Sequence, residues 1–314
     1  MSRLGEIRPL TVALTVVLLV LIGALAARNL SSTQHVVVLA ACAAPAFGVL
    51  AVPMAAIAGG TRRWVLLTLI CLVGLALLAP SLRVLVRRPA PAGTGLTVLT
   101  LNMKLGQADA GQVVAAVRRH QVDVLALQEL TPSALAALRA AGLDQTLAHD
   151  YVAARDGANG IGLFSRFPLT GTTFYAGFSN GVIAARIAPP GLPATTILSS
   201  HLGAPWPQDA RVWLGQTRSL AAILAGIEGP VIDAGDFNAS TSLAPMRRLI
   251  RDAGVTDAAA GAGAATIRTY PANSAVPPLL GIDHVLLRGY RGHSARTVTI
   301  AGSDHRGLLV AAVG

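Results

Sequence analysis

The chain has 314 residues, of which 53% are hydrophobic and only 13% are charged. This balance excludes a single soluble domain and predicts membrane-spanning segments. The formal net charge of +10 is concentrated in the apolar first part: residues 1–95 hold eight arginines and one glutamate, whereas residues 96–314 hold 17 cations and 14 acids. Arginines beside apolar segments set membrane topology and meet anionic headgroups, so this charge does not indicate a nucleic-acid-binding surface.

Three apolar stretches, at about 10–27, 35–57 and 64–80, are each close to the roughly 20 residues that a transmembrane helix requires. The first could instead be a signal peptide, but two more apolar stretches follow it at once. This order favours three transmembrane helices within a membrane domain of residues 1–86. The flanking arginines number four on each side of the membrane, so they do not choose an orientation.

The segment 87–95, "RRPAPAGTG", is rich in proline and glycine and is predicted to be a linker. At about 3.3 Å per residue it reaches no more than roughly 30 Å, so the domain that follows works close to the bilayer. Both cysteines, Cys42 and Cys71, precede this linker. The domain of residues 96–314 therefore has neither a disulfide framework nor a cysteine zinc site.

From Leu96 onward, short apolar runs typical of strands alternate with polar loops. The predicted strands are 96–102, 122–129, 160–167, 182–188, 195–202, 230–236, 282–288, 296–301 and 307–314. Helical spacing of apolar residues is found at Gln112–His120, Pro132–Ala141 and Gln208–Ile227. Strands outnumber helices, which favours a mixed α/β or α+β sandwich over a regular doubly wound sheet.

Polar side chains recur where these predicted strands begin or end. They are Asn102, Glu129, His201, Asp236, Asn238, Asp283, Asp304 and His305. Each one alone is readily explained as a turn former, a helix cap or a polar loop residue. Because strands of packed sheets can bring their ends to one edge, where ligands usually bind, the whole set predicts a site there.

The motifs that carry these residues are "TLNMK", "ALQEL", "SSHLGAP", "AGDFNAS", "GIDHVL" and "GSDHRGL", in this order. They resemble the motifs of the endonuclease/exonuclease/phosphatase superfamily, which includes DNase I-type nucleases, inositol-polyphosphate phosphatases and neutral sphingomyelinases. The resemblance covers nearly all of residues 96–314. It implies a DNase I-like four-layer sandwich with two packed mixed β-sheets, and a divalent metal ion, Mg²⁺ or Mn²⁺, that neutralises a phosphate ester.

The resemblance also implies roles for individual residues. Glu129 is expected to be the principal metal ligand, with Asn102 beside it and Asp304 as a second contact. Asp236 is expected to activate the attacking water. Asn238 is expected either to orient Asp236 or to donate a hydrogen bond to a phosphoryl oxygen.

Both histidines of the set are also given roles by the resemblance. His305 is expected to stabilise the phosphate as an imidazolium, with Asp283 holding its other ring nitrogen. His201 is expected to donate a proton to the leaving oxygen. Lys104, two residues after Asn102 and on the same strand face, is a candidate substrate-binding residue that contacts the phosphate.

Four further residues have a structural explanation, and three of them have a functional alternative as well. The alternation of a strand predicts that His284 points away from the site. Arg166 is either structural or substrate-binding. Trp206 and Trp213, which follow His201, either rest on a lipid headgroup layer or pack inside the domain.

The substrate class does not follow from the fold. The small net charge of residues 96–314 disfavours a duplex-binding surface, and the short linker favours a substrate in or next to the membrane. Three spans followed by such a domain also resemble the bacterial teicoplanin-resistance membrane proteins. That resemblance implies an extracytoplasmic domain that acts on a phosphorylated lipid carrier or another envelope intermediate.

We therefore predict a multi-pass protein of the cell membrane that hydrolyses a phosphate ester of a lipid-linked or cell-envelope substrate. Its predicted partners are the membrane lipid bilayer and that substrate, with no obligate protein partner. Two alternatives stay open. One is a surface nuclease that degrades DNA or RNA, and the other is a non-catalytic membrane sensor built on the same fold.

Overall fold

The computed structural model describes residues 3–82 and 93–314. Residues 87–92, most of the predicted linker, lie outside the described residues. The chain divides into two compact units, the first built of helices near the N-terminus and the second of strands and helices.

The first unit contains three long apolar helices: α1 spans Arg3–Asn29, α2 spans His35–Gly60 and α3 spans Trp64–Leu82. Each is long and apolar enough to cross a membrane. Pro45 and Pro53 lie inside α2 without ending it. Many valines and leucines on the outer faces of these helices are exposed, as expected for helices that face lipid.

Small residues set the packing of α2 against α3. A Cβ atom added to Gly74 would lie 2.6 Å from the Cβ atom of Ala51, and one added to Gly48 would lie 2.8 Å from Cγ of Leu78. Real Cβ atoms do not approach other atoms so closely, so larger residues at these positions would push the helices apart. Glycine therefore permits the close backbone approach that is common between helices in membranes.

A buried arginine joins the ends of α1 and α3. Arg28 donates hydrogen bonds from Nη1 to the carbonyl oxygens of Ala76 and Leu77, at 3.5 and 3.3 Å. Pro80 lies inside α3 and lacks the N–H that would bond the carbonyl of Ala76, four residues earlier. Arg28 thus satisfies an acceptor that Pro80 leaves open, where an unsatisfied carbonyl would be costly.

Among the described residues, the second unit contains twelve strands, five α-helices and two 3-10 helices, Leu143–Gln145 and Gly157–Asn159. The strands are β1 Gly95–Asn102, β2 Val124–Gln128, β3 His149–Ala153, β4 Ile161–Ser165, β5 Thr170–Tyr175, β6 Val182–Ile187, β7 Thr195–His201, β8 Val231–Asp236, β9 Thr256–Asp257, β10 Asp283–Arg288, β11 Arg291–Val298 and β12 Gly307–Val313. The helices are α4 Ala110–Arg119, α5 Pro132–Ala140, α6 Ala210–Gly226, α7 Ala244–Asp252 and α8 Ala258–Gly261.

The strands form two mixed six-stranded sheets, which confirms the predicted fold class. The first sheet has the order β11-β12-β1-β2-β4-β3 and the second the order β5-β6-β7-β8-β10-β9. One hydrophobic core lies between the sheets and includes Val98, Ala126, Ile197 and Ile232. A second core packs α4 and α5 against the outer face of the first sheet.

Each sheet contains one parallel strand pair, β1 with β2 and β7 with β8. The connection through α4 joins the first pair and the connection through α6 joins the second. Asn102 pairs in register with Gln128, and His201 pairs with Asp236. In both parallel pairs, the last paired residues are therefore polar and lie at the carboxyl ends of the strands.

Several elements were not predicted from the sequence. β3 and β5 are edge strands, and β5 lacks an apolar face because most of its residues are exposed. β11 begins at Arg291 and not at residue 296, because its first half is a polar edge segment without alternation. The short helices α7 and α8 were also missed. The three predicted helices are present, and Asp109 and Thr131 cap the starts of α4 and α5.

Candidate active site

The predicted strand-end residues meet at one edge of the two sheets. Asp236, the last residue of β8, pairs with His201 of β7 on one side and with Asp283 of β10 on the other. Asn102 ends β1 in the facing sheet, and its amide nitrogen lies 3.1 Å from Oδ2 of Asp236. The edge thus brings together residues that are far apart in the chain.

His305 lies between two buried carboxylates. Its Nδ1 atom is 2.8 Å from Oδ2 of Asp283, and its Nε2 atom is 3.8 Å from Oδ2 of Asp236. Burial lowers the pKa of His305, but the charges of Asp283 and Asp236 outweigh burial and raise the pKa to about 10. The imidazole is therefore an imidazolium at neutral pH.

Asp236 is held by two donors. The backbone N–H of Asn238 donates to Oδ1 at 2.8 Å, and the side-chain amide of Asn102 donates to Oδ2 at 3.1 Å. Burial raises the pKa of Asp236, and the neighbouring His305 opposes this rise without cancelling it. A buried carboxylate of raised pKa beside a cation is a stronger base than an exposed one.

Glu129 follows β2 at the same edge and is half-buried. Its Oε1 atom accepts from the amide of Asn102 at 3.0 Å, and its Oε2 atom accepts from the backbone N–H of Leu105 at 2.7 Å. Each carboxylate oxygen has a further lone pair that these bonds leave available. The neighbours thus orient the carboxylate, and its oxygens can still accept further bonds.

Asn102 bridges the two carboxylates of the site. Its Nδ2 atom donates to both Glu129 and Asp236, and its Oδ1 atom accepts from the backbone N–H of Lys104 at 2.8 Å. The Lys104 donor fixes which end of the amide is oxygen. Oδ1 keeps one further lone pair beside this bond, so the role of Asn102 as a metal ligand stays a prediction.

Two groups of side chains offer ligand atoms for a divalent ion. Ligand atoms of Asp236, Asp283 and His305 lie within 4.8 Å of one another, as a metal site requires. Nδ1 of His305 is already held by Asp283 at 2.8 Å, so Nε2 is the ring atom that remains. Glu129 and the half-buried Asp304 offer carboxylate oxygens. Because hard divalent cations prefer oxygen to an imidazole nitrogen, the donor chemistry favours Glu129 and Asp304.

His201 is buried beside Asp236, with 3.7 Å between its Nε2 atom and Oδ2. Burial lowers the pKa of His201 despite the opposing charge of Asp236. The neutral ring has a side-chain amide, that of Asn180, 3.1 Å from Nε2. An Nε2 atom that accepts from an amide carries no proton, so the expected role of His201 as proton donor does not fit this state.

Asn238 orients Asp236, as one of the two expectations has it, and Lys104 does not continue β1. The amide of Asn238 donates to the carbonyl of Leu202 at 2.8 Å, so the backbone of Asn238, and not its side chain, orients Asp236. Lys104 lies beyond the end of β1 and begins three successive residues with positive φ, ending at Gly106. Because the strand has already ended, Lys104 does not share a strand face with Asn102.

His284, Arg166 and Trp213 have structural explanations, and Trp206 does not. His284 lies 2.6 Å from Asp257 through Nδ1 and 2.8 Å from the carbonyl of Ala239 through Nε2. Arg166 pairs with Asp123 at 3.4 Å. Trp213 is buried and donates to the carbonyl of Phe237, whereas Trp206 is 54% exposed.

The sequence analysis missed two residues of the site, Asn180 and Tyr270. The ring of Tyr270 lies 4.9 Å from that of His305, and the neighbouring Thr269 accepts hydrogen bonds from the backbone at the start of β10. Tyr270 follows no strand, and Asn180 lies in a loop before β6. Only the turn-forming "NG" and "TYP" patterns mark them, and such patterns are common in loops without function.

Comparisons with known proteins identify the family and the fold. The model of the endonuclease/exonuclease/phosphatase family matches residues 99–305. A comparison with curated proteins gives no match. Among solved structures, that of D. rerio TDP2 complexed with single-strand DNA product is 18% identical, with a TM-score of 0.58, over 70% of this chain and 100% of that chain.

Two bacterial structures of the same family are similar as well. The protein from Beutenbergia cavernae is 18% identical, with a TM-score of 0.53, over 70% of this chain and 71% of that chain. The protein from Bacteroides vulgatus is 15% identical, with a TM-score of 0.56, over 70% of this chain and 98% of that chain. At these identities the likeness establishes the fold alone.

The substitution Asp283→Asn tests the electrostatics around His305. It removes a charge that raises the pKa of His305, so that pKa should fall from about 10 toward the ordinary 6.5. A histidine with a raised folded-state pKa stabilises the fold fully below its unfolded pKa, and this stabilisation is lost as pH rises through the folded pKa. The wild-type protein should therefore lose stability between about pH 6.5 and 10, and the variant should lose much less.

Thermal unfolding of the full chain in detergent, followed across that pH range, measures this difference. Asp252→Asn is the matched control, because Asp252 is exposed and pairs only at the surface with Arg251. If the pH dependence of Asp283→Asn coincides with that of the wild-type protein, the assigned charge of His305 is wrong.

Proposed function

The chain belongs to the endonuclease/exonuclease/phosphatase family, and we propose that it is a membrane-anchored phosphoesterase that depends on a divalent metal ion. The observation that carries this proposal is the imidazolium of His305 between Asp283 and Asp236, beside the bridged pair of Glu129 and Asp236. A cation, a general base and an oriented carboxylate at one strand edge are the parts that phosphate-ester hydrolysis requires.

In the proposed hydrolysis, each residue of the site has a separate role. Asp236 accepts the proton of the attacking water, because two donors fix its carboxylate and burial raises its pKa. His305 donates a hydrogen bond to a phosphoryl oxygen and stabilises the negative charge that develops there. Asp283 holds the imidazolium in place through Nδ1.

In the proposed enzyme, Glu129 and Asp304 would hold the metal ion. A bound Mg²⁺ or Mn²⁺ supplies positive charge that offsets the repulsion between the phosphate and its nucleophile. Asn102 keeps Glu129 and Asp236 apart and oriented, which makes it a positioning residue in this proposal. Lys104 remains a candidate for a phosphate contact through its side chain.

We propose a lipid-linked or cell-envelope phosphate ester as the substrate. Three helices able to cross a membrane support a location at the bilayer, where such a substrate is concentrated. The small net charge of residues 96–314 gives little support for binding to a nucleic-acid backbone. The resemblance to teicoplanin-resistance membrane proteins adds the expectation of a phosphorylated lipid carrier and of a role in antibiotic resistance.

A substrate panel tests this proposal with the purified full chain in detergent. We expect hydrolysis of undecaprenyl phosphates or another lipid-linked ester, with Mg²⁺ or Mn²⁺ present. His305→Ala is the matched inactive control, because it removes the cation from the site. Activity on plasmid DNA alone would make the chain a nuclease. If no activated phosphodiester is hydrolysed, the alternative of a non-catalytic membrane sensor is favoured.

The substitution Glu129→Gln tests the proposed metal ligand. It keeps the shape of the side chain but removes its charge, so the metal concentration for half-maximal activity should rise about 10- to 100-fold. Excess Mg²⁺ should restore part of the activity. Glu228→Gln, at an exposed position, is the control and should leave the metal requirement unchanged. An unaltered requirement in Glu129→Gln would show that the ion binds elsewhere.

We propose further that all three helices span the membrane and that the strand-containing unit lies outside the cytoplasm. An odd number of spans places the two ends of the chain on opposite sides. Alkaline phosphatase is active only outside the cytoplasm. Fusions after Asn29 and after Gly314 should therefore be active, and a fusion after Gly60 should be inactive. The reverse pattern would place the site in the cytoplasm.

A further inference from the structure

Asn180 lies beside His201 in the interior of the site. It precedes β6, and the next residue, Gly181, accepts the backbone N–H of His201 through its carbonyl at 2.9 Å. Gly181 has a φ of +112°, which favours glycine at this turn. Asn180 as a residue is only 9% exposed. A loop residue is thereby fixed against the end of β7.

One nitrogen of the Asn180 amide makes two contacts. Nδ2 donates to the carbonyl oxygen of Leu202 at 3.2 Å and lies 3.1 Å from Nε2 of His201. A carbonyl only accepts, so the Leu202 contact identifies which end of the amide is the NH₂ group. That NH₂ group has only donors to offer, so Nε2 of His201 must be an acceptor and the ring proton must be on Nδ1.

A second neighbour of the same ring nitrogen favours the opposite state. Oδ2 of Asp236 lies 3.7 Å from Nε2, and a carboxylate favours a protonated nitrogen. The amide of Asn180 is closer and has the better hydrogen-bond distance. The other ring nitrogen, Nδ1, is buried and has no hydrogen-bond partner among the described residues, and the backbone of Ala158 raises the pKa of the ring. Asn180 is therefore the group that decides between the two tautomers.

The loop that carries Asn180 is anchored to α6. Gln216 is buried, donates through Nε2 to the hydroxyl of Ser179 at 2.6 Å, and accepts the backbone N–H of Gly203 at 2.7 Å. One side chain thus ties the loop before β6 to the loop after β7. The amide of Asn180 is held in place before any substrate binds, which is the requirement for a positioning group.

We propose that Asn180 is a positioning residue that holds His201 in the Nδ1–H tautomer and occupies the lone pair of its Nε2 atom. The catalytic consequence rests on the proposed function, in which His201 then has no Nε2 proton to donate to the leaving oxygen. The tautomer itself does not depend on any activity.

Nitrogen NMR of the full chain in detergent, labelled with ¹⁵N-histidine, reads the tautomer directly. His201→Gln assigns the signals. At neutral pH the wild-type His201 should show a protonated Nδ1 and an unprotonated Nε2. In Asn180→Asp the carboxylate can only accept, so the signal should change to a protonated Nε2. An Nε2–H tautomer in the wild-type protein, or an unchanged tautomer in Asn180→Asp, would overturn the proposal.

Kinetics supply the second readout, with bis(p-nitrophenyl) phosphate as the probe. In Asn180→Asp and Asn180→Ala, kcat should fall about 10- to 100-fold, while the metal concentration at half-maximal rate stays the same. Asn273→Asp makes the same chemical change at an exposed loop residue and should keep the wild-type rate. An unchanged kcat in both Asn180 variants, in folded protein, would remove the positioning role.

The NMR measurement tests the tautomer, and the kinetic measurement also requires the proposed function. The two can therefore fail independently. If the wild-type protein hydrolyses no phosphodiester, the proposed function fails, and the NMR arm still decides the tautomer. Thermal unfolding of each variant identifies a folding defect. If Asn180→Ala does not fold, Asn180→Asp has nearly the same shape and decides the question, together with the wild-type spectrum.

Discussion

The site depends on the balance of charge around Asp236. Two carboxylates, Asp236 and Asp283, are buried next to each other at the ends of neighbouring strands. Buried negative charge is costly unless a cation or several donors compensate for it. The imidazolium of His305 lies between the two, and the amide of Asn102 connects Asp236 to Glu129. Each of these donors and cations therefore lies where it compensates the buried negative charge of a neighbouring carboxylate.

The backbone contributes to this balance where the strands end. Glu129 and Asn238 both have positive φ, which is uncommon for residues other than glycine. In each case the turn directs a polar group back to the site: the carboxylate of Glu129 meets the donors of Asn102 and Leu105, and the N–H of Asn238 meets Asp236. Such strain persists only where the surrounding structure maintains it, and it commonly marks functional sites.

The sequence predicted much of the fold and the list of strand-end residues, because buried strands have a strong apolar pattern and the motifs occur in a known order. It did not predict the directions of hydrogen bonds. Whether Asn102 offers its oxygen or its nitrogen depends on a backbone N–H two residues later, at Lys104. Asn180 and Tyr270 were missed because their loops have no periodic pattern and reach the site only through long-range contacts.

The order of the strands has a consequence for the biosynthesis of the protein. Asp304 and His305 directly precede β12, and β12 lies between β11 and β1 inside the first sheet. During synthesis the ribosome delivers β1 long before β12, so β1 lacks one of its two neighbours until nearly the whole domain has emerged. A nascent chain has no complete site. The pairing of β12 with β1 and β11 is therefore the step that completes the candidate site.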